Sequence, residues 1–229
     1  DPSIQKKRHY NGSAALTTAF ALEALAMYNN RPKENSSTKR QTTPDKTTKI
    51  RQHIRTTMHK EMHRLSPELR RQSLRMLDHV EKEDKTGEIV LLPHLFNNSL
   101  AKPIGPEAGD AFRHLSLANL YGWAAYTIYD DFLDGEGEPK MFPTANTALR
   151  YSIKHFRQAT ADDDFRELVE QTFNRIDGAN AWELMNCRME VTDQSITVAN
   201  LPRYPQTINL ADRSLGHTLT PLGVLTLGG

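Results

Sequence analysis

Apolar positions recur at three- and four-residue spacing along most of the chain, and no stretch alternates for long enough to make a strand. Gly12 to Tyr28 is rich in Ala and Leu and nearly uncharged, which predicts a buried helix. Asn29 to Lys49 contains no large apolar residue and reads as a linker, because it has nothing to bury in exchange for being ordered. Ile50, Ile54, Met58, Met62 and Leu65 then form one stripe, with basic residues opposite. Ser66-Pro67-Glu68 predicts an N-cap, a first-turn proline and an acidic first turn. The helix that follows is expected to bury Leu69, Leu74, Leu77 and Val80 and to end near Gly87. Ile89 to Leu100 predicts a short apolar helix broken at Pro93. Ala108 to Leu133 predicts the most apolar long helix, stopped by Gly135. Thr144 to Ala159 and Asp164 to Val198 add two more, the second bent at Asp177-Gly178. Pro202 to Pro205 reads as a loop, and Ile208 to Leu227 as a last helix entered through Asn209 or Asp212. The fold class is all-α, with an N-terminal helix in 1–28, a linker over 29–49 and a helical domain over 50–229.

Composition adds three constraints. No window reaches the length of uninterrupted apolar sequence that a membrane helix needs, so no transmembrane segment is expected. The single cysteine, Cys187, excludes an intrachain disulfide framework and a Cys-only zinc site, and it suits a reducing, cytoplasmic location. The first residues, Asp1-Pro2-Ser3-Ile4, carry neither an initiator Met nor an apolar signal core, as expected of a fragment of something longer. The net charge of +1 hides an asymmetry: residues 1–80 hold 16 Lys and Arg against 7 Asp and Glu, whereas 81–229 hold 13 against 21. A basic leader either binds an anion or simply presents solvated helix faces. Aromatic residues are absent from Arg31 to Leu95, so there is nothing for bases to stack on, and no nucleic acid is expected as a partner.

Chemistry is written most plainly at Asp130, Asp131 and Asp134. Asp130 and Asp134 are one turn apart on one helix face, where like charges repel and where the helix dipole disfavours them. A hard divalent cation would compensate such a cluster, and Mg2+ typically takes one or two carboxylates together with phosphate oxygens. A calcium loop of the EF-hand type is excluded because Phe132 and Met141 fall at positions that must ligate. The rival explanation is a solvated helix end.

The run Asp130-Asp131-Phe132-Leu133-Asp134 on an apolar helix of an all-α chain resembles the DDxxD signature of class I isoprenoid synthases, the superfamily of polyprenyl, terpene and squalene-phytoene synthases. The resemblance spans residues 50–229 and implies an antiparallel helical bundle. It implies Mg2+ held by Asp130 and Asp134 with Asp131 beside them, and an isoprenoid diphosphate substrate ionised there before condensation or cyclisation. Homodimers are common in that family. Trp123, Tyr126 and Tyr129 would line the apolar pocket, and the bulk of Tyr126 one turn below Asp130 implies a short-chain product. These aromatics serve equally well as ordinary core.

Some of the family pattern is missing. Of the arginines that usually follow the first motif, only the basic Lys140 stands in place, which moves weight from chain elongation towards squalene- or phytoene-type condensation. On the next long helix Glu183, Asn186, Glu190 and Asp193 share a stripe, and Asn186 and Glu190 become candidate water or metal partners, against a plain solvated stripe. Arg213 and Thr218 become candidate phosphate ligands. The second Asp-rich motif is expected beyond Gly229, so the chain reads as the first-motif half of a site. His53, His59 and His63 do not follow the zincin order and read as part of a basic solvated helix. Cys187 reads as a small core residue, and no glycine-rich phosphate loop is present. Two rival functions stand beside the leading one: an all-α metal-dependent nucleotide pyrophosphohydrolase, and a non-catalytic helical interaction module.

Overall fold

The computed structural model describes residues 44–186 and 210–228. Among them there are seven α-helices and no strand, so the fold is all-α. The helices are α1 (Pro44–Met62), α2 (Pro67–Glu83), α3 (Glu88–Ser99), α4 (Gly109–Leu133), α5 (Phe142–Ala159), α6 (Asp163–Asn186) and α7 (Gly216–Gly228). Short 3-10 segments at Pro106–Ala108, Pro139–Met141 and Leu210–Ser214 lead into α4, α5 and α7. The helix expected in 12–28, the linker as far as residue 43 and the loop at 202–205 lie outside the described residues.

Helix α4 is the axis of the bundle because it is apolar on every side. Leu117, Leu120, Tyr121, Ala124 and Ile128 join Ile54, Met58, Met62, Leu77 and Val80 in one core. Phe112, Leu115 and Ala118 join Phe156, Phe165, Val169, Ile176, Leu219 and Val224 in a second. The closest partner of α4 is α5, and small side chains permit it. A Cβ on Gly122 would come within 3.1 Å of Ser152 Oγ, and that hydroxyl donates to the Ala118 carbonyl at 2.8 Å.

Several boundaries differ from the pattern of apolar positions. Helix α1 begins at Pro44 rather than Ile50, so the expected linker loses its last six positions to a helix. Its polar first turn carries Pro44 and Asp45, residues that favour a helix start without adding to an apolar stripe. It ends at Met62, where Arg64 and Leu65 donate to the carbonyls of Glu61 and Met62 in tighter turns. Ser66 occupies the cap position of α2, but its hydroxyl makes no cap bond. The buried stripe of α2 is Ser73, Met76, Leu77 and Val80, leaving Leu69 and Leu74 half-buried at its edge.

Helix α3 is not broken at Pro93. A proline there removes the N–H that would satisfy the carbonyl of Ile89, four residues earlier. The side-chain amide of Asn119 on α4 replaces it, donating to Ile89 O at 2.6 Å. Helix α6 runs through Asp177-Gly178 without interruption. Asp212 does not start the last helix; it lies in the preceding 3-10 segment, where both carboxylate oxygens accept from the Arg175 guanidinium at 2.8 and 3.0 Å.

Candidate functional site

The acidic motif sits at the C-terminal end of α4, and that end is built by Gly135. With φ of +77° Gly135 takes the left-handed conformation and reverses the chain. Its N–H reaches the Phe132 carbonyl at 3.1 Å, and the Glu136 N–H reaches Asp131 O at 2.8 Å, so the last carbonyls of the helix are capped. Asp130, Asp131 and Asp134 are all exposed there. The carboxyl of Asp131 is pushed above its usual range, first by partial burial and then by the charges of Asp130, Glu136 and Asp134, with His79 opposing. Lys140, the basic residue after the motif, pairs with Glu138 rather than with the aspartates.

The wall opposite Asp130 comes from α6 and the 3-10 segment before α7. Arg213 Nη2 donates to Asp130 Oδ1 at 2.9 Å, and its Nε donates to Asn180 Oδ1 at 3.0 Å. Its Nη1 forms an ion pair with Glu183 Oε2 at 2.6 Å, too poorly aligned to count as a hydrogen bond. Glu183, whose side chain is 17% exposed, is therefore no solvated stripe residue. The arginine grips both walls at once, and Asn180, which the sequence did not single out, orients it. Thr218 is not brought to this point as a free donor; its hydroxyl donates to Leu215 O at 2.7 Å. Asn186 ends α6 and its side chain lies outside the described residues, as do Glu190, Asp193 and Cys187.

The three aromatics before the motif diverge. Tyr126 turns into the second core, parallel to Phe173 at 6.4 Å between ring centroids, with its hydroxyl buried and without a partner. Tyr129 leans towards α5, donating to Asn146 Oδ1 at 2.7 Å. The two rings meet edge to face at 5.9 Å. Trp123 lies at the surface, 43% exposed, against His217 at 5.4 Å. Asp177, read from sequence only as a bend, lies at the surface with its carboxyl partly shielded from water. Burial raises its carboxyl, and its charge in turn adds to the burial that raises both phenols.

A second polar cluster escaped the sequence reading. Glu61 on α1 is buried, accepting from Tyr121 at 3.0 Å, from His155 Nε2 at 2.9 Å and from Lys154 at 2.7 Å. Burial works to raise its pKa, but hydrogen bonds and charge from His155 and Lys154 win and hold it at about 2. His155 in turn meets His114, Nδ1 to Nδ1, at 2.8 Å. The available signal was spacing: Glu61 follows Met58 by three residues, and His155 lies between Ser152 and Phe156 on the buried face of α5.

Among the described residues, no group of three or more His, Cys, Asp or Glu side chains is arranged to hold a metal by itself. No helix among them is long and apolar enough to cross a membrane. No protein-family model, curated protein or solved structure matches the chain.

Proposed function

We propose that the chain is a Mg2+-dependent class I isoprenoid synthase-like protein acting on an allylic diphosphate, with Asp130, Asp131 and Asp134 as its first metal-binding motif. The observation that carries this reading is the position of Arg213, held by Asn180 and Glu183 with its guanidinium 2.9 Å from Asp130. A helix end bearing three exposed carboxylates thus faces a fixed cationic fork, the pair of charges that a metal diphosphate needs on its two sides.

The donor chemistry, hard carboxylate oxygens, suits Mg2+. Asp130, Asp131 and Asp134 offer hard, exposed carboxylate oxygens, and this ion ordinarily takes one or two carboxylates while reserving positions for water and phosphate. Asp130 and Asp134 would hold it, with Asp131 beside them. When bound, the ion supplies charge neutralisation to the departing diphosphate. Arg213 would exchange its contact with Asp130 for phosphate oxygens while Asn180 and Glu183 keep its orientation. Tyr129 would offer an aromatic face to an allylic cation, and Tyr126, turned into the core beside it, would limit the depth available. A short-chain product follows from that bulk.

The test is pyrophosphate release by the full chain with Mg2+ and either geranyl diphosphate or deoxynucleoside triphosphates. Release from geranyl diphosphate alone is the expected result. Release from the nucleotides would favour the pyrophosphohydrolase, and release from neither would favour a non-catalytic module.

A further inference from the structure

We propose that His114 and His155 form an acid-sensitive latch between α4 and α5, closed by one shared proton and opened by a second. The inference is independent of the acidic motif. His155 Nε2 lies 2.9 Å from the buried Glu61 carboxylate, so this nitrogen carries hydrogen. The 2.8 Å contact between the two Nδ1 atoms then requires one N–H and one lone pair. With His155 paired to the Glu61 carboxylate and supplying the shared hydrogen, and with the hydrogen of His114 on Nε2 towards Asp110, a proton added to His114 can enter only at Nδ1, so that two N–H groups point at each other and the contact must break.

The ring that leaves is His114. His155 is 2% exposed, tied to Glu61, and stacked on Tyr121 and Tyr151 at 5.7 and 6.5 Å. His114 lies nearer the surface, with 15% of its side chain exposed and Nε2 3.7 Å from the open carboxylate of Asp110. The groups facing the pair come from three helices: Glu61 from α1; Asp110, Arg113 and Tyr121 from α4; Tyr151 and Lys154 from α5. Burial, then His155 and Arg113, keep His114 neutral below its ordinary pKa of 6.5, while Asp110 and Glu61 favour the second proton. Acid therefore drives His114 outward to Asp110 and releases the contact that joins the helices there.

Imidazole nitrogen NMR on the full chain, titrated from about pH 8 to about pH 5, tests this. The expected result is a single proton shared between the Nδ1 atoms at the start. On acidification His114 gains its own proton with a midpoint below 6.5, the His155 Nε2 proton persists, and amide exchange rises over residues 110–116. His114→Gln, which leaves His155 a neutral partner, should abolish the step. Below about pH 6.5 the folded-to-unfolded ratio of the wild type should fall up to about tenfold more per pH unit than that of the variant. The proposal is overturned if His114 titrates without changing the His155 signal or the exchange, or if His114→Gln keeps the same acid step. Should the variant fail to fold, the wild-type titration decides alone.

Discussion

Arg213 and Asp130 stand 83 positions apart in sequence and 2.9 Å apart in space, and the arginine reaches Glu183 by another nitrogen. The two carboxylates are unequal partners, since the Asp130 side chain is 59% exposed and Glu183 largely buried. Asp130→Asn is expected to change stability by less than about 1 kcal/mol. Arg213→Ala should cost about 1–3 kcal/mol, because it strands the Glu183 carboxylate. Urea denaturation of the two variants checks this, and equal effects would contradict it.

Glu61 ties α1 to α4 and α5 through three donors, so Glu61→Ala should destabilise the fold by about 3–5 kcal/mol. Its folded pKa of about 2 lies below the ordinary 4.5. The stability it contributes is present in full above about 4.5 and is lost as pH falls towards about 2. Glu61→Gln should flatten the stability profile in that window and leave the slope above pH 7 unchanged, as followed by denaturation across pH.

His94 behaves differently, because it is a base held neutral. Burial, and then Lys46, lower it to about 4, and its ring stacks on Phe112 at 5.2 Å. The unfolded chain takes up the proton first. Stability from this group is therefore full above about 6.5 and falls as pH drops towards about 4. His94→Phe should remove up to about one factor of ten per pH unit from the loss within that window. An unchanged slope would count against the assignment.

The Asn119 amide stands in for the N–H that Pro93 lacks. Asn119→Ala should cost about 1–3 kcal/mol, since it leaves the Ile89 carbonyl without a donor. In a Pro93→Ala background the restored N–H can reach Ile89 O, and the same substitution should cost less. A double-mutant cycle measures the difference, and strict additivity would refute the substitution of one donor by the other.

These cases mark what local sequence rules reveal. Helix α4 was legible because it is apolar all round and a left-handed Gly135 ends it. The aspartates were legible because carboxylates at that spacing are costly without a counter-charge. Arg213 was legible as a residue type, but its docking on Asp130 depends on how α6 and α7 lie against α4, which no local pattern encodes. Pro93 was misread because its missing bond is repaired from another helix. Glu61 was hidden among basic neighbours, although its place beside the Met58 and Met62 stripe marks the buried face.

We propose that Asp130, facing Arg213, takes part in binding a metal diphosphate. The deciding measurement is pyrophosphate release from geranyl diphosphate by wild type and Asp130→Asn, with and without Mg2+. Mg2+-dependent release by the wild type is expected, with a loss of at least about tenfold in a variant that remains folded, equivalent to about 1.4 kcal/mol of barrier. No release by the folded wild type, or equal release by the variant or without Mg2+, would contradict it.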